Sequence, residues 1–232
     1  MSRRTLLRSI HTQPLDDALL KRYLLRYDPR TLYEHPEVVP RLCSGSLFGN
    51  DAPLELEVGC GTAEFLCALA AKEPAVNFVG VDIARRPLEK GVEVAASLAL
   101  ANLRLLHGNF ARMYALLEPL SLRRVYVHFP DPNMRPKFRS RRMVNPVFLE
   151  AIPAALAPEG TLSVMTDHEA FFLEMLALLE ADCRFTKTHA ARYLVGFEPE
   201  VKSRFQRIWE RHGLPILRCE LRKSATQKSC LP

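Results

Sequence analysis

No uninterrupted apolar run in this 232-residue chain approaches the ~18 residues that a bilayer crossing requires, so no membrane-spanning helix is expected. There is no C-x-x-C pair among the six cysteines, at positions 43, 60, 67, 183, 219 and 230, and a chain of this size needs no covalent staples. They read as reduced thiols, which places the protein in the cytoplasm. No apolar stretch follows Arg3-Arg4. Gln13-Pro14 and Asp16-Asp17 come instead, which speaks against a twin-arginine export signal, while the acid-free, arginine-containing first 15 residues leave an organellar leader as the alternative. Internal repeats and low-complexity tracts are missing too. What is present, 48 % apolar and 25 % charged residues with only ten glycines, is the balance of an ordinary globular domain and excludes a collagen-like or wholly disordered chain.

The formal charge is +6. It is unevenly placed: residues 1–30 carry seven basic and three acidic side chains, residues 130–143 five and one, residues 201–223 seven and two, and the remainder is net acidic. Segregated positive charge suits a phosphate-bearing partner. The alternative is three unrelated solvated faces.

From residue 54 to 188, short apolar runs alternate with helical patterns. Leu54–Val58, 76–81, 103–106, 124–128 and 161–165 read as strands, and each is followed by apolar residues at helical spacing, such as Leu88, Val92, Ala95 and Ala99 after the second. Strand and helix in alternation predict an α/β fold with a doubly wound sheet. In such sheets ligands bind beyond the carboxyl ends of the strands, so the loops there are examined first. The expected organisation is a basic N-terminal extension over 1–50, one catalytic domain over 51–223 and a flexible tail over 224–232.

Glu57-Val58-Gly59-Cys60-Gly61-Thr62-Ala63 leaves the first strand and opens a helix. Gly59 and Gly61 let the backbone turn sharply and let a ligand approach it. The spacing is shorter than G-x-G-x-x-G, and Glu57 directly before the turn would repel a pyrophosphate; it suits a cation. The arrangement resembles motif I of class I methyltransferases, whose ligand S-adenosylmethionine carries an ammonium group and a sulfonium. Asp82 ends the second strand, where its two oxygens can accept the ribose hydroxyls of an adenosine or, alternatively, cap the next helix. Asn109 ends the third, placed to bond an adenine, with Phe110 either packed on that ring or part of the core.

His128-Phe129-Pro130-Asp131-Pro132-Asn133 leaves the fourth strand. Two prolines restrict the backbone around Asp131 and would project its carboxylate rigidly. Arg135, Lys137, Arg139, Arg141 and Arg142 follow and could clamp phosphates. For Arg141 and Arg142 the alternative is pairing with helix carboxylates.

In these motifs the chain resembles the bacterial-type tRNA guanine-N7 methyltransferases. Their hallmark is Pro-Asp-Pro-Trp, a basic stretch ending Arg-Arg, a Thr-Asp pair at the end of the next strand, and Thr-x-Tyr/Phe-Glu near the C-terminus. Pro130-Asp131-Pro132, Arg141-Arg142, Thr166-Asp167 and Ser203-Arg204-Phe205-Gln206 stand in the same order, over residues 54–223. Asn133 replaces the Trp, Arg135 a Lys, Phe138 and Ser140 stand where a His and a Lys are usual, Ser203 replaces Thr and Gln206 replaces Glu. The resemblance implies the seven-stranded Rossmann-like sheet of class I methyltransferases, S-adenosylmethionine as donor with no metal, and tRNA as partner. A monomer is the working expectation. Glu57, Gly59, Gly61, Asp82, Asn109 and Asp131 would hold the donor; Arg135, Asp167, Ser203, Gln206, Arg139, Arg141 and Arg142 would hold the RNA.

Guanine N7 has an in-plane lone pair, so its methylation needs no general base and rests on positioning. The resemblance makes Asp131 the catalytic residue and gives Asp167 the task of orienting the base. Two other readings share the motifs: a class I methyltransferase with a different substrate, and a non-catalytic RNA-binding relative.

Overall fold

The computed structural model describes residues 10–133 and 142–224. The chain forms two compact units, one ending at Leu116 and the other beginning at Leu117.

The first unit is a parallel α/β layer. Helix α1 (Asp17–Tyr23) runs into the short strand β1 (Leu24–Arg26), and the small helices α2 (Pro29–Glu34) and α3 (Ser44–Phe48) follow. Then come β2 (Leu54–Val58), α4 (Glu64–Lys72), β3 (Asn77–Asp82), α5 (Arg85–Ser97) and β4 (Leu103–His107). The strand order is β1-β4-β3-β2, every pair parallel. Every residue of β2 is buried, as a strand covered on both sides must be. Helix α5 turns Leu88, Val92 and Ala95 inward at helical spacing.

The second unit holds β5 (Leu122–His128), α6 (Pro146–Ala155), β6 (Leu156–Thr166), α7 (Glu169–Glu180), β7 (Phe185–Lys187), β8 (Leu194–Val195), α8 (Arg204–Arg211) and β9 (Leu217–Lys223). Strand β5 pairs in parallel with β6, and β9 lies antiparallel between β6 and β7, with β8 also on β9. Asn145, His168 and Ser203 cap the three helices, each side chain accepting an amide hydrogen of the first turn. Phe148, Ile152, Phe171, Phe172 and Val164 form the core.

The expected α/β class holds, with two corrections of detail. The described residues contain nine strands rather than seven, the additional ones being Leu24–Arg26 and Leu194–Val195. These are three and two residues long, too short to show a period. Residues 10–50 are also built into the first unit: β1 extends its sheet, Tyr23 and Leu42 are fully buried, and the Asn77 amide donates to Ser44 Oγ at 2.9 Å and Asn50 Oδ1 at 2.7 Å. Cys43, Cys60, Cys67 and Cys219 are free thiols. No helix among the described residues is long and apolar enough to cross a membrane.

Candidate active site

In the first unit the glycine loop is pinned to the neighbouring strand. The amides of Gly59 and Cys60 donate to the Val81 carbonyl at 2.7 and 3.1 Å. Gly59, Gly61 and Ala63 have φ of +82°, +54° and +52°, so alternate residues are left-handed, the region glycine enters at least cost. Gly61 N–H donates to Asp82 Oδ2 at 2.9 Å, and Ala84 N–H donates to Asp82 Oδ1 at 2.7 Å. Asp82 is not the cap of α5, which is Ala84; it holds the turn before that helix and anchors the glycine loop, and each oxygen keeps a second lone pair for a ligand hydroxyl.

Glu57 is 4 % exposed, and its Oε2 has no hydrogen-bond partner among the described residues. Burial, reinforced by the Asp82 carboxylate, pushes its pKa up to about 8. The Asp82 pKa is itself raised by burial. Two acidic groups drawn out of water, one with an orphaned oxygen, form a receptor for a cation bearing N–H donors.

Asn109 is exposed and caps a 3-10 turn, its Oδ1 accepting from Ala111 N–H at 3.1 Å, which leaves the amide nitrogen as the group offered to a ligand. Phe110 is 3 % exposed and sits edge-on to Tyr114 at 5.2 Å: it belongs to the core. The apolar side chain left in solvent at these strand ends is Ile83, 68 % exposed, beside Asp82. Nothing in its residue type marks it out in the sequence.

In the second unit the loops bearing Asp131 and Asp167 leave neighbouring parallel strands at the same end, since His128 is level with Met165 and Phe129 N–H donates to the Met165 carbonyl at 2.7 Å. Phe129 takes a φ of +51°, and its ring lies 6.0 Å from that of Phe205 on α8. Asp131 is exposed, and its Oδ1 accepts from Asn133 N–H at 3.1 Å. Asn133, where the family has Trp, has a φ of +44°. Asn tolerates that region, so the substitution comes with a tight Asx turn around the carboxylate. Asp167 is half-buried, and the Thr166 hydroxyl donates to its Oδ1 at 3.4 Å.

Five of the expected RNA contacts have another role in the fold or lie outside the described residues. Arg142 is buried, paired with Glu174 of α7, donates from Nε to the Pro132 carbonyl at 3.0 Å, and lies over the Phe171 ring at 5.2 Å. It is a strut that ties Pro132 to α7, the alternative its sequence reading carried. The Ser203 hydroxyl oxygen caps α8, accepting from Gln206 N–H at 3.1 Å, and keeps its own O–H as a donor. Ser-x-x-Gln is a helix-start signal in its own right, so the spacing has a local cause. Arg135, Arg139 and Arg141 lie outside the described residues. Gln206 is fully buried; its Nε2 donates to Glu210 Oε1 at 2.9 Å, and its Oε1 has no partner among the described residues. Part of the C-terminal basic cluster is neutralised locally, Lys202 by Glu198 and Glu210, Arg218 by Glu220 and Arg222 by Glu159.

Residues 51–219 match the family described as "Putative methyltransferase". A tRNA (guanine-N(7)-)-methyltransferase of Rubrobacter xylanophilus is 47 % identical over 95 % of this chain and 99 % of its own length. The chain belongs to the tRNA (guanine-N(7)-)-methyltransferase family. The enzyme of the same name from Chloroflexus aurantiacus is 38 % identical over 84 % of this chain and 86 % of its own. Among solved structures, the antibiotic-resistance methyltransferase Kmr superimposes with a TM-score of 0.54 at 12 % identity, covering 88 % of this chain and 96 % of that one. That likeness carries the fold alone. This methyltransferase therefore pairs a class I architecture with the donor-loop motifs described above.

Proposed function

We propose that the protein transfers a methyl group from S-adenosylmethionine to N7 of a guanine in tRNA. The observation that carries the donor side is the buried Glu57 oxygen without a partner, beside Asp82. Glu57 receives the ammonium of the donor, Asp82 the ribose hydroxyls, Asn109 the adenine edge, and Ile83 the adenine face. Gly59 and Gly61 keep the backbone open for it. The donor supplies a sulfonium methyl, which the N7 lone pair takes as the carbon–sulfur bond breaks and the positive charge passes from sulfur to the base.

No proton has to move in that step. Asp131, exposed and fixed by its Asx turn, accepts from the N–H edge of the guanine and stabilises the cation that forms. Asp167 orients the base from the adjacent strand end. Gln206, with an open carbonyl oxygen, supplies a neutral acceptor where the family's Glu is charged. Arg135, Arg139 and Arg141 hold phosphates of the folded RNA. We place the enzyme in the cytoplasm.

The test is incubation with labelled S-adenosylmethionine and unmodified tRNA, followed by nucleoside mass spectrometry. 7-Methylguanosine is the expected product. A different methylated nucleoside would overturn the acceptor, and no methylation together with no donor binding would overturn the enzyme.

A further inference from the structure

Strand β1 comes from the N-terminal segment to which the sequence assigned no task. It pairs with β4 in parallel, Leu24 level with Leu105, Leu25 with Leu106 and Arg26 with His107. All four strands of the first unit therefore end on the same side, the side at which Glu57, Asp82 and Asn109 sit. One residue beyond the Arg26–His107 pair stand Tyr27 on one chain segment and Gly108 on the other, immediately before Asn109.

Tyr27 is half-buried. Its hydroxyl is wholly shielded from solvent and has no hydrogen-bond partner among the described residues. Shielding raises the phenol's pKa above its ordinary 10.0, so it remains a neutral donor and acceptor. An orphaned buried hydroxyl costs a fold stability unless something bonds it. Phenylalanine would fill the same space without that cost. Tyr114 has a second shielded hydroxyl without a partner, but that ring is packed against Phe110 in the turns past Asn109. Tyr27 is the one whose strand adds a fourth exit loop to the three that carry the donor residues.

We infer that Tyr27 is a donor-contact residue, its hydroxyl bonding the adenosine end of the methyl donor, so that β1 makes the N-terminal segment part of the donor site. The inference rests on the donor reading given above. Adenosine presents ring nitrogens and ribose hydroxyls that a neutral phenol can bond as donor or acceptor. Tyr27 and Asn109 leave neighbouring strands at the same end, one strand spacing of about 5 Å apart, so a ligand bonded by Asn109 lies beside the segment that carries the phenol.

Calorimetry on the full chain with S-adenosylhomocysteine and with 5′-methylthioadenosine tests it. Tyr27→Phe weakens both ligands by about 3- to 10-fold, the range expected for one lost neutral hydrogen bond. The melting temperature of the ligand-free variant stays level or rises, because an unsatisfied polar group has been removed. Tyr33→Phe, at a side chain 87 % exposed on α2, changes neither. Unchanged affinity in Tyr27→Phe, with the wild type binding normally, overturns the inference and leaves the donor reading intact. A loss confined to S-adenosylhomocysteine, or seen only with Tyr114→Phe, overturns it as well. So does an affinity loss that comes with a lowered melting temperature, which marks a structural role. If the wild type binds neither ligand, the donor reading has failed and the inference falls with it.

Discussion

Gly61 N–H donates to Asp82 Oδ2 at 2.9 Å across 21 residues of sequence, joining the loop after β2 to the acid that ends β3. One carboxylate thereby fixes the loop while its own burial, and its repulsion of Glu57, keep the pocket short of positive charge. The consequence is a Glu57 carboxyl that keeps its proton up to about pH 8.

Glu57 makes this measurable. Its carboxyl has a pKa of about 8 in the folded protein against 4.5 ordinarily, so between those values the fold binds more protons than the unfolded chain. Stability from this group therefore falls as pH rises from about 4.5 to about 8. Glu57→Gln flattens that part of the pH–stability curve and makes the ligand-free protein more stable than wild type at pH 8, as denaturant titrations at several pH values will show. Calorimetry at pH 7 in buffers of different ionisation enthalpy will register proton release on binding S-adenosylmethionine, and the variant will lose both that release and roughly 10- to 100-fold in affinity. Binding with no proton release would refute the ammonium assignment.

The two carboxylates of the second unit divide the acceptor's work. Asp131→Ala lowers turnover on tRNA by roughly 100-fold or more, the scale of a lost transition-state contact. Donor affinity falls far less than turnover in that variant. Asp167→Asn acts mainly on KM for tRNA. Single-turnover rates beside equilibrium donor binding separate these effects, and near-normal turnover of Asp131→Ala would remove it from the catalytic role.

Arg142 and its sequence neighbours differ in kind. Because it braces Pro132 and pairs with Glu174, Arg142→Ala lowers unfolding free energy by about 1–3 kcal/mol, the worth of hydrogen bonds to a charged group. The dependence of tRNA affinity on salt keeps its slope in that variant. Replacing Arg139 or Arg141 has the opposite signature, a stable protein whose log–log salt slope is reduced by about 1. Paired chemical melts and filter-binding titrations decide it; a flattened slope in Arg142→Ala would restore the phosphate contact to that residue.

The loops that carry Glu57, Gly59, Gly61 and Asp82 were legible in the sequence, because their information is local. Glycine at 59 and 61, an acid at 57 and an acid at the next strand end are properties of short segments, and the alternation of strand and helix places them at carboxyl ends. Ser203 was legible as well, in a sense the family motif obscured, since Ser-x-x-Gln is a cap signal. Phe110 took the core alternative and Ile83 lies in solvent, because exposure depends on what packs above a strand end.

By itself the sequence determined the fold class, the order of the loops and the residue types at each exit, since hydrophobic period and turn chemistry act within ten residues or so. Only the tertiary structure decided what lay far apart along the chain. A three-residue strand has no period, so β1 and Tyr27 emerge only from pairing with β4. Arg142 meets Glu174 across 32 residues and leaves solvent because α7 packs there. Glu57 holds its proton to about pH 8 because every residue of β2 is buried, and burial is a property of the whole layer.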